Sequence, residues 1–361
     1  MDTIANLWGN VWPILVSVLV FLVVIMIHEF GHFIMAKALG VRVNEYAIGF
    51  GPAIFKWKGK ETQYSLRIIP FGGYCAMEGE DSESTDDRGF CNKAPWRRFL
   101  IIIAGAAFNL ILGWILVFFI LLPQDLIATS KVAGFIENES FKPVSCNYGL
   151  KEGDEIYRVD GRRIYSTIDL SYAFSGVKDG SVDIVVIRDG EKVKLDGVKF
   201  DTKYENEDAA DEKDKGVQYI VVDFKVYGEE NNFPNLIKAT CKTSFSYARV
   251  VWFSLVDIIR GRFRISQMSG PVGVAAAMSQ AAKAGLSDFL PLIALITINL
   301  GVFNLLPIPS LDGSRALFIL IEMIFRKPVP RKFEALVHAV GLGVLLLFIL
   351  VITVKDIWQL F

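Results

Sequence analysis

The feature that most constrains this chain is a set of four long segments that contain almost no charged residues. Each has about the 20 residues that an α-helix needs to cross the roughly 30 Å hydrocarbon core of a bilayer. Charged residues still make up 21% of the sequence, so they are concentrated between these segments. We therefore predict a polytopic α-helical membrane protein with about four transmembrane helices, at 7–27 (continuing to 36), 99–123, 289–311 and 335–354.

The distribution of lysine and arginine predicts how these helices are oriented. Basic residues are concentrated between the first and second segments and again between the third and fourth. Such loops lie on the cytoplasmic side of a membrane. Both termini and the stretch between the second and third segments are then expected outside the cytoplasm. The formal net charge is −1, and nothing in the charge pattern indicates a nucleic-acid partner.

The segments between the predicted spans divide the chain into four parts. Residues 1–128 form an N-terminal membrane half, whose loop 41–77 contains alternating polar and apolar residues typical of a β-hairpin at the membrane. Residues 129–228 contain short strand-like runs and predict a small β-rich domain. Residues 229–288 are predicted to be a linker of amphipathic helices on the membrane surface. Within it, 236–260 mix apolar and charged residues, which favours such a helix over a fifth span. Residues 289–361 form the C-terminal membrane half.

A sequence of the form H-E-x-x-H lies inside the first apolar segment. On a helix, His28 and His32 share one face, so both imidazoles can bind a single metal ion. Glu29 lies next to them and is placed to accept a proton from metal-bound water. An ionisable group in hydrocarbon costs several kcal/mol unless it is paired or liganded. A function therefore explains the motif better than two packing histidines beside a protonated glutamate.

A catalytic zinc needs a third protein ligand, and the sequence offers two candidates. Asp312 follows a segment broken by Pro307 and Pro309, and irregular backbone at membrane depth is tolerated where it lines protein or a water-filled cavity. His338 lies in the fourth span, where we expect a packing or interfacial role. We predict that Asp312 is the ligand. Asn304, before the prolines, is a candidate hydrogen-bond donor to a reacting carbonyl oxygen or its oxyanion.

The pairing of His28–His32 with N-x-x-P-x-P-x-L-D-G at 304–313 resembles the site-2 protease family of intramembrane zinc metalloproteases. The similarity is greatest to its bacterial regulator-of-sigma-E protease branch and covers nearly the whole chain. It includes Phe71-Gly72-Gly73-Tyr74, Ser269-Gly270-Pro271-Val272-Gly273 and one PDZ-like domain with Gly149-Leu150-Lys151-Glu152-Gly153-Asp154. Some relatives have two such domains, and relatives often have Gly-His where this chain has Ser314-Arg315.

This resemblance implies a zinc endopeptidase in a bacterial inner or plasma membrane, with its active site toward the cytoplasm and the PDZ domain outside. The implied substrates are single-span membrane proteins, such as anti-sigma factors or signal-peptide remnants, already trimmed outside the membrane. The expected zinc ligands are His28, His32 and Asp312, with Glu29 as the general base. The PDZ domain is expected to bind a C-terminal peptide.

We expect the substrate to add to the loop 41–77 as an extra strand, near Gly72 and Gly73 or along Tyr64 and Leu66. Two other functions compete with proteolysis. One is an inactive relative that binds transmembrane helices, against which the intact Glu29 argues. The other is a metal transporter or metal-sensing receptor. Transporters usually spread polar residues over several spans, whereas the second and fourth spans here contain little besides Asn109 and His338.

Overall fold

The computed structural model describes residues 2–137, 142–175, 177, 179–204, 218–261 and 269–358, without the side chains of 2–10 and 71. Within these residues the chain forms eight α-helices: α1 (Asp2–Ala38), α2 (Pro95–Leu121), α3 (Thr167–Phe174), α4 (Phe233–Ile259), α5 (Pro271–Ala284), α6 (Leu286–Leu305), α7 (Asp312–Phe325) and α8 (Arg331–Trp358). It also forms ten β-strands: β1 (Val43–Lys58), β2 (Gln63–Met77), β3 (Leu126–Phe135), β4 (Glu155–Val159), β5 (Arg162–Arg163), β6 (Ser181–Arg188), β7 (Glu191–Lys199), β8 (Thr202–Tyr204), β9 (Gln218–Ile220) and β10 (Phe224–Glu230).

Two compact units make up the chain. One contains Met1–Leu116 together with Met268–Phe361, and the other contains Val117–Gln267. The first unit therefore combines sequence from both ends of the chain, whereas the second is a continuous insertion.

Among the described residues, four helices are long and apolar enough to cross a membrane, in agreement with the sequence prediction. They are Val11–Ala38, Pro95–Leu121, Leu286–Leu305 and Arg331–Trp358. The third is shorter than the predicted segment 289–311, because the helix ends at Leu305 and a new helix begins at Asp312. Pro307 and Pro309 explain this break, since a proline inside a helix removes a backbone hydrogen bond and clashes with the preceding turn.

Strands β1 and β2 form a small sheet in the first unit, within the predicted loop 41–77. The end of β1 and the start of β2 form an antiparallel hairpin, with Trp57 opposite Tyr64 and Lys58 opposite Gln63. The start of β1 also pairs with the end of β2, with Val43 opposite Met77. The first half of β2 thus lies between the start and the end of β1. Residues 73–77 pair with the start of β1 on its opposite side.

A short polar network stabilises this sheet. Ser65 Oγ donates a 2.6 Å hydrogen bond to Glu45 Oε1, and Arg67 Nη2 lies 2.8 Å from the same oxygen. Burial alone would raise the pKa of the Glu45 carboxyl group, but these hydrogen bonds lower it to about 2. Glu45 on β1 and Arg67 on β2 therefore form an ion pair that links the two strands.

An apolar core attaches the sheet to the helices of the first unit. Its fully buried members include Ala36 at the end of α1, Val43 on β1 and Ile101 on α2. Ala316 and Ile319 of α7 join the same core. Helices α1, α2 and α7 are therefore held together next to the sheet, and these are the helices that carry the candidate site.

The start of α5 is held by the end of α8. The backbone N–H groups of Gly270 and Gly273 both donate to Asp356 Oδ2, at 2.8 Å. Asp356 is buried, and a carboxylate at a helix N-terminus interacts favourably with the helix dipole. Helix α5 also contacts α1 and α6. It therefore packs among the helices of the first unit, although the sequence analysis grouped it with α4 in the segment 229–288.

The second unit is built on a sheet with strand order β10-β3-β4-β6-β7, and β5 pairs with β4. Its apolar core includes Val132, Ile156, Ile184 and Phe174, and it lies between this sheet and α3. This sheet accounts for most of the strand-like runs in 129–228.

Helix α4 covers α3 in the second unit and corresponds to the predicted amphipathic helix. Arg249 Nη1 lies 2.9 Å from Asp169 Oδ1 on α3, and Tyr172 donates a 2.9 Å hydrogen bond to Asp257 Oδ2. Phe233 and Trp252 of the same helix remain exposed. The unit therefore extends past residue 228, where the sequence analysis placed the end of the β-rich domain.

Candidate active site

Two buried histidines on α1 form the centre of the candidate site. His28 and His32 are separated by one helical turn, so their side chains project from the same face. Their Nε2 atoms lie 3.2 Å apart, and their ring planes are nearly perpendicular, at 84°. The pair thus presents two ring nitrogens to one point, as H-E-x-x-H predicts.

The first residue of α7 completes a three-membered cluster. Asp312 Oδ2 lies 3.0 Å from His28 Nε2 and 3.1 Å from His32 Nε2. Among the described residues, His28, His32 and Asp312 form the group of side chains that could hold a metal ion. Two ligands of a tetrahedral zinc, each at about 2.0–2.1 Å from the ion, are separated by about 3.3 Å. The three ligand atoms therefore match the spacing of a zinc site with one position left open.

Helix α2 supplies the groups that orient both imidazoles. The Nδ1 atom of His32 lies 2.9 Å from the backbone carbonyl oxygen of Ile101. A carbonyl can only accept, so this nitrogen carries the hydrogen and Nε2 keeps a lone pair for a metal. The amide nitrogen of Asn109 lies 3.4 Å from His28 Nδ1. A half-turn of that amide would let its buried oxygen accept the corresponding hydrogen from His28.

A glycine between these two positions permits the close approach of α2 to the histidines. A Cβ atom at Gly105 would lie 2.3 Å from His32 Nε2 and 2.8 Å from His28 Cε1. Gly31 on α1 is equally close to α2, since a Cβ there would lie 2.5 Å from the carbonyl oxygen of Ala104. Sequence reasoning missed these residues. Their signal is the i, i+4, i+8 spacing of Ile101, Gly105 and Asn109 on one face of an apolar helix.

Glu29 lies beside the small sheet. A Cβ atom at Gly73 would be only 3.6 Å from Glu29 Cγ and 2.8 Å from the carbonyl oxygen of Ala47. Gly72, with φ of +94°, forms the bend before this segment. Tyr46 of β1 attaches the sheet to α1 by donating a 2.8 Å hydrogen bond to the carbonyl oxygen of Met26. The bend at Gly72 and Gly73 is thus next to the proposed base.

The remaining predicted residues occupy different places. Asn304 is buried in the last turn of α6 and, within the described part of the chain, makes no hydrogen bond to His28, His32 or Asp312, so its catalytic role stays a prediction. Tyr64 and Leu66 lie in a segment that pairs with β1 on both edges, so only their side chains are available to a substrate. His338 lies outside the metal-binding group found among the described residues and contacts Ser310 instead.

An ion pair joins the start of α7 to the loop that follows β2. Arg315 Nη1 lies 2.5 Å from Glu80 Oε1, and Arg315 Nη2 lies 2.9 Å from Asp81 Oδ1. Burial raises the pKa of the Glu80 carboxyl group, whereas Arg315 lowers it. Arg315 follows Asp312 by three residues, so this pair also restrains the turn that carries the third candidate ligand. From sequence, Arg315 was one of the basic residues that predict a cytoplasmic link and a departure from the family's pattern, and its pairing with Glu80 was not predicted.

Comparison with known proteins shows the family to which the chain belongs. The sequence profile of peptidase family M50 matches residues 16–348, which include His28, His32 and Asp312. The chain belongs to peptidase family M50, the site-2 protease family. A relative from Clostridium perfringens, named as a proposed zinc metalloprotease, is 34% identical over 95% of this chain and 98% of the relative.

Other relatives of this M50 protease come from Bacillus. The zinc metalloprotease RasP of Bacillus licheniformis is 29% identical over 96% of this chain and 99% of its own length. The regulator of sigma-W protease RasP of Bacillus subtilis is 26% identical over the same 96% of this chain and 99% of its own length. The predicted enzyme class, a metalloendopeptidase, and the predicted zinc cofactor are confirmed, because the chain belongs to family M50 and its relatives are named zinc metalloproteases.

Proposed function

We propose that this M50 protease hydrolyses peptide bonds in or near the transmembrane segments of single-span membrane proteins. The observation that carries the proposal is the triangle of His28 Nε2, His32 Nε2 and Asp312 Oδ2, with sides of 3.0–3.2 Å, built partly on an apolar helix long enough to span a membrane. Such a cluster has the donor types and spacing of a catalytic zinc site.

The residues of the site divide the chemistry among them. His28, His32 and Asp312 would hold the zinc ion, which would supply Lewis acidity to a water molecule and to the carbonyl group of the substrate. Glu29 accepts a proton from the attacking water and later donates it to the leaving amine. The backbone carbonyl of Ile101 keeps His32 in the tautomer that binds through Nε2. Asn304 is proposed as a hydrogen-bond donor to the carbonyl oxygen of the substrate.

A substrate helix must unwind before it can react, since its carbonyl groups are engaged in i to i−4 hydrogen bonds. We propose that the unwound segment pairs with residues 73–77 of β2. Residues 73–77 pair with the first half of β1, and Gly73, the first of them, lies close to Glu29. Strand addition would supply backbone hydrogen bonds without requiring a particular side-chain sequence. Gly72 and Gly73 fit this role better than Tyr64 and Leu66, whose segment has both edges occupied.

We also propose an orientation of the enzyme in the membrane, a role for residues 129–228 and a class of substrate. The loop between α1 and α2 and the link between the spans α6 and α8 are proposed to be cytoplasmic, which puts both termini and residues 129–228 outside. Residues 129–228 are proposed to be a PDZ domain that admits trimmed substrates or binds a newly formed C-terminal carboxylate. Anti-sigma factors are the proposed substrate class. One relative is named a regulator of sigma-W protease, which is consistent with this assignment.

The test compares Glu29→Gln with His32→Ala and the unchanged protein, all purified in detergent. We expect Glu29→Gln to keep bound zinc but to lose cleavage of a fluorescent single-span substrate by at least about 100-fold. His32→Ala should lose both zinc and cleavage, because it removes a ligand. An unchanged protein that binds zinc without cutting would favour a helix-binding or metal-sensing role. A fully active Glu29→Gln variant would refute the assignment of the base.

A further inference from the structure

The segment that precedes Asp312 is held in an unusual backbone conformation. Ser310 has φ of +76°, in the left-handed region that residues with a side chain rarely adopt. It lies two residues before Asp312, so its conformation sets where α7 begins. Something must therefore hold this turn if Asp312 is to meet His28 and His32.

Helix α8 holds the Ser310 turn through two hydrogen bonds to one residue. The backbone N–H of Ser310 donates to His338 Nδ1 at 3.1 Å, and Ser310 Oγ donates to the backbone carbonyl oxygen of His338 at 2.8 Å. Since Nδ1 accepts, the neutral ring carries its hydrogen on Nε2, which lies 3.8 Å from Glu334 Oε1. The ring also makes an edge contact with Phe318 of α7, with centroids 6.0 Å apart.

One turn farther along α8, a glycine leaves room for the same segment. A Cβ atom at Gly341 would lie 2.1 Å from Pro309 Cβ and 3.1 Å from Pro309 backbone atoms. Pro309 therefore packs directly on the backbone of α8, next to the hydrogen bonds made by His338. The two contacts are independent, and both fix the chain immediately before Asp312.

We propose that His338 is a positioning residue for the zinc site, and that its Nδ1 atom holds the left-handed Ser310 turn so that Asp312 reaches the histidine pair. This inference rests on the proposed role of Asp312 as the third ligand. It gives a function to the histidine that the sequence analysis considered and rejected as a ligand. His338 acts through the backbone and makes no bond to the metal.

Two substitutions of His338 separate the hydrogen bond from ring packing. His338→Asn keeps an acceptor, because the amide oxygen is as many bonds from Cα as Nδ1 is, but it removes the ring. His338→Phe keeps a ring against Phe318 but removes the acceptor. If the hydrogen bond matters, His338→Phe should bind zinc about 10- to 100-fold more weakly, and His338→Asn should stay close to the unchanged protein. If only packing matters, the order of the two variants is reversed.

A change at the turn itself provides the second test. Glycine adopts positive φ without strain, so Ser310→Gly lessens the need for a group that holds the turn. We expect Ser310→Gly combined with His338→Phe to recover part of the zinc affinity that His338→Phe loses. A double variant that binds zinc no better than His338→Phe alone would contradict the proposed mechanism.

Zinc affinity is measured on the full-length protein in detergent, by competition with a chromogenic chelator, and does not depend on cleavage. Asp312→Ala provides the reference for a lost ligand. If Asp312→Ala keeps full zinc affinity, the proposed site is wrong. If Asp312→Ala loses zinc while His338→Phe keeps it, the site stands and the positioning role of His338 is refuted.

Discussion

Replacing Gly105 with alanine should damage the metal site more than any other single methyl group added to α2. The new Cβ atom would lie 2.3 Å from His32 Nε2, whereas ordinary contacts begin near 3.4 Å. Either α2 or the imidazoles must therefore move by about 1 Å to restore normal van der Waals contact. Metal–ligand distances tolerate only about 0.2 Å of variation, so a shift of that size should displace a ligand.

The expected effect is a loss of zinc affinity without a loss of the fold. Removing a group that orients a ligand typically weakens metal binding about 10- to 100-fold, and displacing the ligand itself should cost more. We therefore expect Gly105→Ala to bind zinc at least about 100-fold more weakly, which corresponds to about 2.8 kcal/mol. The helix itself should not be weakened, since alanine is favoured over glycine in a helix by about 1 kcal/mol.

Gly113→Ala is the matched control, because it adds the same group to the same helix. Its Cβ atom would lie 2.3 Å from Cγ1 of Ile298, an apolar side chain that is not one of the candidate metal ligands. We expect it to lower the unfolding temperature while leaving zinc affinity nearly unchanged. Chelator competition and thermal unfolding in detergent measure the two quantities separately. Zinc binding by Gly105→Ala that equals that of the unchanged protein would refute the argument from close packing.

Three further predictions concern the surroundings of the site. Asn109→Ala should weaken zinc binding about 10- to 100-fold in the same competition assay, because the orientation of His28 depends on this amide; unchanged affinity would show that the contact is not used. Arg315→Met should lower the free energy of unfolding by about 2 kcal/mol, between the values for exposed and buried pairs, and adding Glu80→Gln should restore part of it. A double variant no more stable than Arg315→Met would contradict that explanation. Because the folded pKa of Glu45 is about 2, below its ordinary value of 4.5, its contribution to stability should be complete above about pH 5 and be lost as the pH falls toward 2. Glu45→Gln should flatten this part of a plot of unfolding temperature against pH, and an unchanged slope would show that the carboxylate is not responsible.

Much of this protein can be read from local sequence because the bilayer imposes simple requirements. A helix in hydrocarbon must be long and apolar, so the four spans are visible as uncharged segments. A charged or metal-binding group at that depth is costly, so His28 and His32 are conspicuous. Asp312 could be chosen as a candidate ligand by similar reasoning, because two prolines break the helix just before it and a broken helix at membrane depth indicates a site or a cavity.

Other parts of the site depend on contacts between residues far apart in the chain. Asp312 lies 280 residues from His32, and only the packing of α1 against α2 and α7 brings their side chains within 3.1 Å. Gly105 shares one face of α2 with Ile101 and Asn109, but this spacing does not show that the face lies against the two histidines. Its importance comes from a neighbouring helix that occupies the space of its missing side chain.

His338 is a second residue whose role local sequence does not determine. Its residue type made it a plausible zinc ligand, and the choice of Asp312 over it rested on the local sequence, a carboxylate beside a glycine turn in a proline-broken segment. The tertiary structure distinguishes the two candidates, because Nδ1 of His338 accepts a hydrogen bond from the backbone of Ser310, whereas Asp312 lies in the candidate metal-binding cluster. Sequence determines which residues can enter a membrane and bind a metal. The distances and hydrogen-bond directions that divide roles among them are decided only when the helices pack.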